Sequence, residues 1–117
     1  MQEVMKQSLQ EAGMDVDGAL ERLMGSETLL DRLLNMFLDD TNYGRLQAAV
    51  DHRDLESALA ASHTLKGMCG NLSMTLLFDL LTRQVALFRA DDWAGGAGLM
   101  PEIAAAYDRL SSVIKQI

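Results

Sequence analysis

The chain has 117 residues, 49% of them apolar, which suffices for one packed core and is too short for two ordinary domains. Seventeen acidic against ten basic side chains give a net charge of −7, so a general phosphate-neutralising surface is missing and nucleic acid is not an expected partner. No window of about 18 residues is free of charge, the amino terminus lacks the pattern of an export signal, and Cys69 is the only cysteine, so the expectation is a cytoplasmic protein with no membrane span and no intrachain disulfide.

Twenty leucines stand against eight valines and isoleucines, and Pro101 is the only proline, a composition that favours helices over strands. Residues from about 2 to 12 and 16 to 24 read as short helices separated by Gly13-Met14-Asp15, the second stopped by Gly25. Ser26 offers its hydroxyl to the first amides of a longer helix with a stripe of Leu30, Leu33, Leu34, Phe37 and Leu38. The stripe loses phase between Asp39 and Gly44 and resumes at Leu46, Ala49 and Val50, which we read as one bent helix. Asp54 caps the next helix, which turns Leu55, Ala58, Leu59, Ser62, Leu65 and Cys69 inward and runs to about Cys69. Asn71-Leu-Ser73 closes it and caps a fourth helix carrying Leu76, Leu77, Leu80, Leu81, Val85 and Phe88 to about Ala90. Beyond Asp91-Asp92 a last helix is weak at Gly95, Gly96 and Gly98 and firm from Pro101 to Ile114, with Trp93 sealing the edge. The expected fold is all-α: an antiparallel up-down-up-down four-helix bundle over residues 26–117, with short helical segments in 1–25 across one end, all forming a single domain.

The informative stretch is Ser62-His-Thr-Leu-Lys-Gly-Met-Cys-Gly70. At about 100° per residue, His63, Lys66, Gly67 and Gly70 share one face, with both glycines within about 40° of the histidine. Each glycine inside a helix costs about 1 kcal/mol relative to alanine. Such bare turns serve either the close approach of a neighbouring helix or the access of a bulky group to the imidazole. A free imidazole titrates near about 6.5, so at neutral pH one ring nitrogen carries a nucleophilic lone pair able to take a phosphoryl group. A lysine one turn along can screen phosphoryl oxygens. Met68 projects about 140° from His63 and Cys69 belongs to the inward stripe, so a soft-metal or haem site is not expected. The acidic pairs Asp39-Asp40 and Asp91-Asp92 read as caps and solvated charge, and no metal site is assigned. His52 lies in a polar turn and is read as structural.

The run Ala61-Ser-His-Thr-Leu-Lys-Gly-Met-Cys-Gly-Asn-Leu-Ser73 resembles the signature of histidine-containing phosphotransfer (HPt) domains: histidine, two residues, lysine, glycine, small residues, then Asn-Leu-Gly. The similarity extends to Asp54-Leu-Glu-Ser-Ala-Leu59 and Leu29-Leu-Asp-Arg-Leu-Leu-Asn-Met-Phe-Leu38, from about Val16 onward. What the resemblance implies is a phosphoryl carrier, not an enzyme with its own nucleotide site, in a two-component phosphorelay. His63 would be the phosphoryl acceptor, Lys66 its charge stabiliser and Gly67 the gap that gives access. Ala19, Leu23, Thr64 and Gly70 would face the partner. The partners implied are response-regulator receiver domains, a hybrid sensor histidine kinase, or both, with Mg²⁺ expected on the receiver, no cofactor on this chain, and a monomer sufficient. Two positions depart from the family pattern. Ser73 replaces the usual glycine, which we read as a capped helix start without a left-handed residue. Gln84, the candidate for the glutamine that members often place beside the histidine, comes one position early. The alternative from another class is a helical adaptor, or a degenerate HPt-like module, that binds receivers without carrying phosphate.

Overall fold

A computed structural model describes all 117 residues, and its regular elements are helices only: α1 (Glu3–Glu11), α2 (Val16–Arg22), α3 (Glu27–Asp39), α4 (Asn42–Asp51), α5 (Leu55–Asn71), α6 (Thr75–Arg89), α7 (Trp93–Ala97) and α8 (Met100–Ile114). Four of the starts are capped by short polar side chains that accept an otherwise orphan amide. Asp15 takes Gly18 N at 3.0 Å, Ser26 takes Leu29 N at 3.1 Å, Asp54 takes Ser57 N at 3.1 Å and Asp92 takes Gly95 N at 2.9 Å.

The stops share one device. At the ends of α4, α5 and α6 the chain steps through a left-handed residue, Arg53 (φ 54°), Ser73 (φ 53°) and Asp91 (φ 59°). In each case two amides fold back onto the last turn. For α5 these are Ser73 N to Gly70 O at 3.2 Å and Met74 N to Cys69 O at 2.9 Å. Ser73 therefore does not cap α6, as the sequence suggested. It occupies the strained position where glycine is at ease, Met74 precedes α6 without a side-chain cap, and the Ser73 hydroxyl is buried with no protein partner. Holding an L-residue there costs about 1–2 kcal/mol, partly offset by the lower unfolded-state entropy of serine. Ser73→Gly is therefore expected to stabilise the fold by about 1 kcal/mol, read as a higher midpoint in thermal unfolding. A lower midpoint would mean that the serine hydroxyl holds the turn.

The bent helix expected across residues 39–44 is two helices. Asp40 is extended (ψ 138°), and its carboxylate accepts Asn42 N and the Asn42 side-chain amide, each at 3.0 Å. That local competition for backbone donors ends α3 and starts α4. The glycine-weakened start of the last helix is likewise separate: α7 stops at Gly98 and α8 begins afresh with Pro101 in its first turn. Leu76, placed in the inward stripe of α6, is instead exposed in the first turn.

Helix α5 packs along both α4 and α6, and α8 closes the ring against α6 and α3, so that α3–α4, α5, α6 and α8 make the four-helix bundle. Its interior includes the fully buried Phe37, Leu65, Leu77 and Phe88, each contributing about 1.5–3 kcal/mol by leaving water. Tyr107 of α8 stacks on Tyr43 at 3.8 Å and lies 5.2 Å from Phe37, joining α8 to α4 and α3. Trp93 is half-buried and stacks on Phe88 at 5.5 Å, sealing the edge. The amino-terminal helices dock where α5 hands over to α6: Asp15 N bonds Ser73 O at 2.8 Å, and Thr75 Oγ1 donates to Gly13 O at 3.1 Å. Gly13 is required twice there, since its φ is 97° and a Cβ would lie 2.6 Å from that of Leu76. No helix is long and apolar enough to cross a membrane.

Candidate functional site

Helix α5 buries Ala58, Ala61, Ser62, Leu65 and Cys69, a stripe at three- and four-residue spacing made mostly of small side chains. Small residues let α4 and α6 come close on both sides while the opposite face stays outside. That outer face carries Ala60, His63, Thr64 and Gly67, all exposed, with Lys66 half-buried beside them. The frame that fixes this orientation is polar as well as apolar. Ser62, immediately before the histidine, is fully buried and donates its hydroxyl to Gln84 Oε1 at 2.7 Å. Gln84 Nε2 in turn donates to Gly96 O at 3.0 Å and meets Met100 Sδ at 3.2 Å. One buried side chain thus ties α5 to α6, α7 and α8 with its amide satisfied at both ends.

The two histidines differ. His52 is fixed to its own helix by a 2.7 Å bond between Nδ1 and Ala48 O, whereas no protein group bonds the His63 ring, which keeps both nitrogens for an incoming molecule. The chain's two ion pairs, the terminal amine with Glu27 and Lys6 with Asp17, leave Lys66 without a carboxylate partner. One turn from the imidazole, a Cβ on Gly67 would meet nothing within 4 Å. The arrangement is an unbonded imidazole, a lysine without an ion pair and an open glycine turn along one helix.

Several assignments made from the sequence are redistributed. Gly70 is not part of the open face, because a Cβ there would sit 3.0 Å from the Phe78 ring, and it serves instead as the close-packing point between α5 and α6. Ala19 is buried at 1% exposure on the inner side of α2 and has no side-chain surface to offer a partner, whereas Leu23 is half-buried. Thr64 is exposed but returns its hydroxyl to Ala60 O at 3.0 Å. Gln84 is spent inside the core rather than beside the His63 ring. Cys69 lies in the core as expected, and burial, with the Asp40 charge, pushes its thiol up to about 12, which makes it inert. Sequence reasoning missed Arg22, whose guanidinium reaches from α2 to Gly70 O at 2.5 Å and Asn71 O at 3.4 Å and supplies charge to the carboxyl end of the histidine helix. Its only sequence signal is a cation in the last turn of a short helix.

These features define a helical bundle that presents one free imidazole on a glycine-cleared face. The family model for the Hpt domain matches residues 3–113, nearly the whole length, and the chain belongs to that family. Hpt domains are phosphocarrier modules that serve histidine phosphotransfer in phosphorelays. No curated protein and no solved structure matches the chain.

Proposed function

We infer that this chain carries a phosphoryl group on His63, received from the phosphorylated aspartate of a receiver domain and passed to another. The observation that carries the reading is the exposed, unbonded His63 ring beside a glycine whose Cβ position is open. A neutral ring nitrogen attacks phosphorus in line, the N–P bond forms as the acyl P–O bond breaks, and the electron pair leaves on the aspartate carboxylate. No protein group on this chain needs to act as a base, because the attacking nitrogen carries a lone pair. Catalysis is positioning and charge: Lys66 screens the phosphoryl oxygens, and any metal ion belongs to the receiver. The chain acts as one domain and as a monomer, with receiver domains and a hybrid sensor kinase as partners.

The test is to mix the protein with receiver domains charged by acetyl phosphate and follow transfer of a base-stable, acid-labile label. Label on this chain supports the carrier reading, whereas binding of receivers without label would make it an adaptor. Within the carrier reading, Lys66→Ala is expected to slow transfer about tenfold without moving the unfolding midpoint, since a half-buried lysine without an ion pair adds little stability. Unchanged transfer kinetics would show the cation to be incidental.

A further inference from the structure

Beside the histidine face, a groove of about 530 Å³ runs between α4 and α5. Alanines from both helices, Ala48 and Ala60 among them, form its floor, and Arg45, His52, Asp54 and Thr64 stand along it. Ala60 and Thr64 belong equally to the outer face of α5 next to His63, so a body seated on the imidazole covers the groove as well. The charges in the groove are unequal. Arg45 is exposed and has no ion pair or side-chain hydrogen bond. The groove's one carboxylate, Asp54, is committed to Ser57, accepting its amide at 3.1 Å and its hydroxyl at 2.7 Å. His52 directs Nδ1 to its own helix. What remains is a free guanidinium above an alanine floor, on a chain whose net charge is −7.

We propose that this groove is the recognition slot for the docked receiver domain, taking one apolar side chain over the alanines and a neighbouring carboxylate at Arg45. The proposal rests on the phosphotransfer reading and adds to it where partner choice is made. An unpaired cation at the rim of an interface acts on encounter and selection rather than on chemistry, whereas filling the alanine floor removes shape complementarity.

The experiment uses two phosphoryl donors. Phosphoramidate is small enough to reach an exposed imidazole without docking, and the receiver that labels the wild type fastest reports docking and transfer together. Ala48→Trp, at an exposed position, is expected to keep the phosphoramidate rate and lose about tenfold or more in kcat/KM with the receiver. Arg45→Glu is expected to raise KM about three- to tenfold at unchanged kcat, with the effect shrinking in about 0.5 M salt, and Lys115→Glu, the same charge change at the end of α8, to match the wild type. Wild-type rates for both groove variants would overturn the slot and leave the carrier reading intact. Equal losses with phosphoramidate would place the defect at the histidine and overturn the slot too. A wild type labelled by phosphoramidate and by no receiver would remove the carrier reading, and this proposal with it.

Discussion

His63→Gln is expected to fold as the wild type does and to take no phosphoryl group from any charged receiver, while phosphoramidate can still reach the exposed His52 ring. The ring makes no bond inside the protein and its face is exposed, so the substitution belongs with surface changes worth within about 0.5 kcal/mol, and the unfolding midpoint should stay in place. Glutamine keeps the polarity and approximate reach of the side chain while lacking a nucleophilic nitrogen lone pair. The loss of label is therefore a loss of chemistry rather than of docking, and receiver binding should persist. Retained acid-labile label from a charged receiver on a folded His63→Gln protein would move the acceptor elsewhere, with His52 as the remaining imidazole.

Gly67→Trp is expected to lower receiver-driven transfer about a hundredfold while leaving the bundle at least as stable. A side chain at position 67 enters open space, and replacing a helix-interior glycine recovers up to about 1 kcal/mol of helix propensity. The indole then stands one turn from the imidazole, on the side from which a receiver must come. Phosphoramidate should still label this variant within a fewfold of the wild-type rate, which separates blocked docking from damaged chemistry. Gly70 gives the opposite pattern, because its Cβ would press on Phe78 at 3.0 Å and the cost falls on packing between α5 and α6. Normal receiver transfer by Gly67→Trp, checked by melting and by kcat/KM, would end the access argument.

The sequence shows the helices clearly where one side-chain type does one job. Ser26 and Asp54 cap as their chemistry predicts, Gly13 and Gly25 take left-handed turns, and the leucine stripes of α3 and α6 fall inward apart from Leu76. It misleads where a residue other than glycine takes the left-handed turn that closes a helix through local backbone bonds. Arg53, Ser73 and Asp91 end helices in the left-handed region without being glycine, so the stop signal normally read from glycine was absent, and Ser73 in particular passed for a cap. The break between α3 and α4 hides in Asp40, whose carboxylate competes for the Asn42 amide, a contest that periodicity does not register.

At the site, the exposure of His63 and the openness of Gly67 follow from helical phase alone and were readable. Gly70 lies on the same side by phase, yet it is taken by Phe78, because a shared face says nothing about which neighbour leans over it. Ala19 shows the same limit from the other direction, since an apolar position spaced for a partner was claimed by the core. Gln84 looked misplaced by one position in sequence. In three dimensions its place is explained by Ser62, Gly96 and Met100, which use its whole amide in holding the histidine helix in register.

Carriage of phosphate by this protein is decided by the atom that receives the phosphoryl group. Trypsin cuts after Arg53 and after Lys66, so His63 falls in the peptide 54–66 and His52 in a different one. Digestion at mildly alkaline pH after reaction with a charged receiver, followed by mass spectrometry, should find phosphate on peptide 54–66 alone, and brief acid treatment should remove it. Phosphate on the His52 peptide, or an acid-stable phosphate anywhere, would contradict the account.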